Sequence, residues 1–170
     1  MNFKGRKPLM MFIMEDTMPV TAGTLAPDFE LMDDTGTAQR LSNYRGHEVV
    51  LYFYPADFTS GCTIEACNFR DNYSAYQKAG VVILGVSPDG VDSHGKFKRK
   101  YSLPFPLLVD ANHQVCELYG AWGRKPGRDN DGVLRTTFLI GKDGKVIKVF
   151  ENVKPSEHSA EVLAALTPHA

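Results

Sequence analysis

An α/β domain with a central mixed β-sheet flanked by helices is the fold class this sequence predicts, on three observations. Two unbroken apolar runs of strand length, Val49 to Tyr54 and Val81 to Val86, suit strands buried on both faces. A helical stretch joins them, so they should lie parallel with a right-handed crossover. Near the carboxyl end, Thr136 to Ile140 and Lys145 to Phe150 flank Gly141-Lys142-Asp143-Gly144, a hairpin signal that makes the sheet mixed.

The elements follow in order. Pro55 ends the first run, because proline cannot donate into a sheet ladder, and a loop leads to Gly61. The helical stretch runs from about Cys62 to Ala79, closed by Gly80. After the second strand, Ser87-Pro88-Asp89-Gly90 reads as a turn and the basic segment Val91 to Tyr101 as an exposed helix. Leu107 to Val109, behind Pro104 and Pro106, is a third strand, and Val115 to Tyr119 a short helix. Gly120 to Gly127 reads as a mobile loop carrying Trp122 as a packing anchor. Ser156 can cap a final helix ending near Leu166.

A length of 170 residues argues for one domain. With 19 basic against 20 acidic residues the net charge is −1, which lacks the basic footprint of a nucleic-acid binder and weakens the case for an acidic membrane partner. No apolar stretch approaches the roughly 20 residues of a membrane span. Residues 1–18 read as a leader of uncertain order: Lys4, Arg6 and Lys7 precede a short apolar run, but Glu15 and Asp16 follow at once and no A-x-A site is close. Residues 19–170 are expected to form the domain, in the cytoplasm. Three cysteines are odd in number and too few for a disulfide-built scaffold.

Two of those cysteines carry the chemistry. Cys62 follows a loop at a strand's carboxyl end, the edge where open α/β sheets bind ligands. It falls in the first turn of a helix, where free N–H groups and the positive end of the dipole favour a negative charge. Thiols in such positions, beside a cation, are the ones that ionise and react near neutral pH. Thr59 places a hydroxyl close by, and Gly61 lets a substrate approach the backbone. Glu65 would oppose a thiolate if it pointed the same way, so a compensating cation is required.

Cys67 lies five residues on. Along an intact helix that spacing separates Cα atoms by roughly 8–9 Å, whereas a disulfide needs about 4.4–6.8 Å. A structural bridge is disfavoured; a transient one, coupled to local unwinding, is compatible. The C-x4-C spacing opens a plant-type iron–sulfur run, but that run next needs cysteine where Arg70 stands, and no zinc spacing is present. Neither a metal nor a cofactor is expected.

Tyr52 to Asp71, Y-F-Y-P-A-D-F-T-S-G-C-T-I-E-A-C-N-F-R-D, resembles the active-site segment of peroxiredoxins, and in particular of their bacterioferritin comigratory protein (PrxQ) subfamily. The resemblance extends from Pro27-Asp28-Phe29 to the final helix, and Gly132 to Phe138 resembles the family's arginine-bearing strand. Ser60, Ala56 and Asn68 depart from residues frequent at those positions. The resemblance implies a thioredoxin-like fold and thiol-dependent reduction of peroxides. It implies that Cys62 is the peroxidatic cysteine, Cys67 the resolving cysteine, and Pro55, Thr59 and Arg135 the remaining active-site residues. Thioredoxin or a glutaredoxin-like dithiol is the implied reductant. An intrachain partner for Cys62 removes any chemical need for a dimer, so a monomer is expected. The rivals are a protein disulfide oxidoreductase, against which the absence of C-x-x-C speaks, and a redox sensor or partner-binding module using the same cysteine pair as a switch.

Other signals read as ordinary structure. Cys116 follows His113 by three residues, as a Cys–His dyad would, but is expected to be an ordinary thiol or at most a spare resolving cysteine. His47, His94, His158 and His169 show no metal-ligand spacing, and Lys96 to Lys100 is expected to be a solvated helix face.

Overall fold

The computed structural model describes residues 19–166; the leader expected over residues 1–18 lies outside them. Three parallel strands form the centre: β3 (Glu48–Phe53), β4 (Val81–Ser87) and β5 (Leu107–Val109). Between β3 and β4 run α1 (Ser60–Asp71) and α2 (Tyr73–Lys78); between β4 and β5 runs α3 (Val91–Tyr101). The hairpin β1 (Glu30–Asp33) and β2 (Ala38–Arg40) pairs antiparallel to β5, and the hairpin β8 (Thr136–Ile140) and β9 (Val146–Phe150) pairs antiparallel to β3. The order across the seven-stranded sheet is β2-β1-β5-β4-β3-β8-β9. The expected parallel pair, mixed sheet and closing hairpin are all present.

Alternation along β3 builds two cores. Val50, Tyr52 and Tyr54 pack on one face with Ala66, Phe69 and Tyr76 of the helical stretch and with Phe97 and Phe105. Val49, Leu51 and Phe53 pack on the other face with Phe138 and with Val115, Cys116 and Tyr119 from α4 (Gln114–Leu118) and its end. Each large apolar side chain so buried contributes about 1.5–3 kcal/mol, and burial on both faces explains why the run carries no polar residue.

Four expectations are corrected. The long helix is two: it begins at Ser60, behind Thr59 and two residues before Cys62, and it breaks at Asn72, whose Nδ2 donates to Ser159 Oγ at 2.9 Å. Gly80, at φ +72°, does close the second piece. The segment from Gly120 contains β6 (Trp122–Arg124), which pairs with β7 (Asp131–Val133); Trp122 stacks on His113 at 3.8 Å and Arg124 faces Asp131. Arg135 lies between β7 and β8, not within a strand. Ser156 sits in the turn before α5 (His158–Leu166); the first bond of that helix runs from Glu161 N–H to Glu157 O.

Candidate active site

The loop Pro55–Thr59 carries the chain from the end of β3 into α1. Thr59 is the residue before the helix in extended conformation, and its carbonyl accepts the first helical bond, from Thr63 N–H. The N–H groups of Ser60, Gly61 and Cys62 therefore have no partner inside the helix. Cys62, third in the helix, is 1% exposed and packs against the Val50–Tyr52–Tyr54 face. The Thr59 hydroxyl donates to Ala56 O at 2.8 Å, which leaves its oxygen free to accept a hydrogen bond from a peroxide O–H.

Arg135 reaches this turn from the segment just before β8, the strand next to β3. Its Nη2 donates to Cys62 Sγ at 3.3 Å and its Nη1 to Glu65 Oε1 at 2.7 Å. Gly61 makes room: a Cβ there would stand 3.1 Å from Arg135 Nη2. Burial works against the Arg135 charge, but Glu65 and Cys62 hold it on. Glu65 does point the same way as the thiol, as feared from the sequence, and Arg135 is the required cation. Burial pushes the Glu65 carboxyl up to about 7, against the pull of Arg135, and its Oε2 is buried without a partner.

Tyr52 completes the inner wall. Its buried hydroxyl has no partner, and burial, then the Glu65 and Cys62 charges, raise it well above the usual phenol range. Its ring demands Gly85 on the neighbouring strand, where a Cβ would lie 2.9 Å from Cζ. Outside, Arg135 opens onto a cavity of about 570 Å3 lined by Lys125, Pro126, Leu134, Thr136 and Val153. Pro55 and Lys125 also line a second cavity with Arg128. Burial, with Arg135 and Arg128 adding, lowers the Lys125 ammonium below its ordinary range.

Cys67 is half-buried on the same unbroken helix, and all three cysteines are free. Burial raises its thiol, Arg70 opposing. Cys116 sits in the core on the opposite face of the sheet, so it is not placed to resolve Cys62. Of the residues singled out from sequence, Cys62, Arg135 and Thr59 converge on the first turn, Pro55 lies at the loop's start, and Cys67 stands off along the helix.

Sequence reading missed Asp57 and His94, which are buried together behind the loop. With Asp89 they form the one cluster of potential metal ligands among the described residues, their ligand atoms within 4.8 Å of one another. Those atoms are already engaged: His94 Nδ1 with Asp57 Oδ2 at 2.7 Å, and Asp89 Oδ2 with Asp57 N–H and Ser87 Oγ at 2.8 Å each. His94 shares a helical face with Phe97, but nothing local in the sequence pairs it with Asp57.

Known proteins resemble this chain. Residues 22–149 match the AhpC/TSA family. Peroxiredoxin Bcp of Bacillus subtilis (strain 168) is 48% identical over 151 residues, spanning 88% of this chain and 96% of that protein. Peroxiredoxin Bcp of Escherichia coli (strain K12) is 45% identical over 154 residues, 89% and 99% of the two chains. Among solved structures, the Xanthomonas campestris bacterioferritin comigratory protein, described for its alkyl peroxide reduction activity, superposes with a TM-score of 0.79 at 38% identity, covering 83% of this chain and 91% of that one. The fold is accordingly thioredoxin-like, and the chain belongs to the AhpC/TSA family as a peroxiredoxin of the Bcp (PrxQ) type.

Proposed function

We propose that this thiol peroxidase reduces hydrogen peroxide and organic hydroperoxides at Cys62, with Cys67 as the resolving thiol and Thr59, Arg135 and Pro55 shaping the site. The carrying observation is the Arg135 guanidinium on Cys62 Sγ at the open amino end of α1. The thiolate attacks the nearer peroxide oxygen; an S–O bond forms as the O–O bond breaks, leaving sulfenic acid and an alkoxide or hydroxide that takes up a proton. Thr59 Oγ accepts from the peroxide O–H. First-turn N–H groups and Arg135 stabilise the charge that develops on the departing oxygen.

The Cys67 sulfur then displaces hydroxide from the sulfenic sulfur, releasing water and forming the disulfide. Helix spacing keeps the two sulfurs apart while α1 is wound, so its first turns must open for this step. A dithiol of the thioredoxin or glutaredoxin-like class returns both cysteines to thiols. That need for re-reduction supports a cytoplasmic setting, and an intrachain disulfide supports a monomer. One domain over residues 19–170 is part of the same reading, supported by the single seven-stranded sheet into which the elements around Cys62 pack.

The test is peroxide-dependent NADPH oxidation coupled through thioredoxin and its reductase. Activity is expected for the wild type and none for Cys62→Ser; a rate unchanged by that substitution sinks the assignment. One equivalent of peroxide should yield a Cys62–Cys67 bridge by mass spectrometry. Oxidation without turnover by any dithiol would favour the switch reading.

A further inference from the structure

Five residues before Cys62 lies a polar centre that takes no part in those steps. The Asp57 side chain is 1% exposed and has three partners. Tyr54 Oη donates to its Oδ1 at 2.7 Å, Ser93 Oγ donates to Oδ2 at 2.8 Å, and His94 Nδ1 lies 2.7 Å from Oδ2. His94 Nε2 faces the Leu108 carbonyl at 2.9 Å, a pure acceptor, so Nε2 carries a hydrogen and one further proton is held between Nδ1 and Asp57. The Asp57 backbone is tied as well, its N–H donating to Asp89. Through this one residue the loop is fastened to the end of β4, to α3 and to β5.

The next residue is strained. Phe58 holds φ +64°, a left-handed conformation that costs a non-glycine residue roughly 1–2 kcal/mol. Strain of this kind persists only where the surroundings over-determine it. Here it is trapped between anchored Asp57 and Thr59, the residue that starts α1. An apolar core would fill the same space without the desolvation cost of a buried carboxylate and imidazole.

We propose that Asp57 and His94 are positioning residues that hold the Pro55–Thr59 loop fixed while α1 winds and unwinds beyond it. They thereby set the balance between the wound, peroxide-reactive helix and the opened form in which Cys67 meets Cys62. This rests on the catalytic cycle given above. With the anchor loosened, the turn at Phe58 relaxes and Thr59 drifts from its place over the first turn. Peroxide attack slows and opening becomes easier. Sulfenic Cys62 has two fates: condensation with Cys67, releasing water, or oxidation by a second hydrogen peroxide, which adds oxygen to sulfur to give sulfinic acid and water. Easier opening favours the first.

His94→Gln tests this, using stopped-flow reaction of the reduced protein with hydrogen peroxide and mass spectrometry of sulfinic Cys62 after a fixed peroxide excess. We expect a fall of roughly tenfold or more in the peroxide rate, on the scale that misplacement of a reacting group produces, together with a severalfold smaller sulfinic fraction. Asp57→Asn, which can donate to a neutral His94 while still accepting from Tyr54, should stay much closer to wild type in both values than His94→Gln does. A folded His94→Gln protein with rate and sulfinic fraction within twofold of wild type overturns the inference. If that variant does not accumulate, Ser93→Ala, which removes one bond to Asp57 from a half-buried side chain, gives the same two readings; no change there overturns it equally. A wild-type protein that fails to react with peroxide would instead overturn the cycle itself.

Discussion

Cys62 and Cys116 occupy matching positions in opposite surroundings. Each is buried, and each is the third residue of a helix, α1 and α4. At Cys116 the first-turn donors are spent: Val115 N–H and Cys116 N–H donate to Asp110 at 3.2 and 2.8 Å. Burial, then the Asp110 carboxylate, pushes that thiol far above the ordinary range, in the core of the sheet's other face. At Cys62 no carboxylate caps the turn, Gly61 keeps the approach open, and a guanidinium touches the sulfur. A helix amino end therefore does not by itself favour a thiolate: an anion fills the turn at Cys116, and a cation faces the sulfur at Cys62.

The strongest way to break the comparison is to swap the two thiols out in turn. Cys62→Ser should abolish peroxide consumption, while Cys116→Ala should leave the rate per folded molecule within about twofold, since it lies beyond the sheet from the reacting atoms; both are read in the coupled assay. Next in size, Arg135→Gln removes a donor aimed at developing charge and should lower the peroxide rate by about 10²–10³-fold, measured by stopped flow with folded protein confirmed by circular dichroism. Retained activity would mean the open helix turn suffices without its cation.

A smaller effect sits in Glu65. Its folded value of about 7 lies above the ordinary 4.5, so the folded protein binds that proton more tightly than the unfolded chain. Its contribution to stability is thus full below about 4.5 and is lost as pH rises through about 7, at most roughly 3 kcal/mol. Denaturant midpoints of wild type and Glu65→Gln across that window should diverge, the variant lacking this decline. The least effect is expected for Asp110→Asn. Its one amide oxygen can accept from only one of the Val115 and Cys116 N–H groups, so the loss in stability to denaturant should be about 1–3 kcal/mol, and with the carboxylate charge gone the Cys116 thiol should titrate lower under alkylation in mild denaturant.

Legibility followed range. The runs at Val49 and Val81 and the Gly141–Gly144 turn were readable because strand period and turn chemistry are local. The break at Asn72 was not, since its side chain is satisfied by Ser159 across 87 positions of chain. β1 and β2 were missed because short strands at the margin of a sheet carry little apolar signal; they expose Glu30 and Arg40, which pair with each other at 3.0 Å. In the site, Cys62 and Thr59 were legible from the strand-to-helix turn and Arg135 from family resemblance. Asp57 and His94 were not, being 37 positions apart with no motif to join them.

By itself, then, the sequence determined the placement of the candidate thiols: a cysteine after a glycine, at the start of a helix, with a second cysteine too far along that helix to bond it unless it opens. Those are consequences of covalent spacing and helix geometry, and they hold before any tertiary contact forms. Only the tertiary structure decided the charge balance. It brought Arg135 across 73 positions of chain onto Cys62, buried Glu65 beneath it, and set Asp110 against the other cysteine. Coulomb and desolvation energies depend on separation in space and on exclusion of water, and neither is written into the order of residues along the chain.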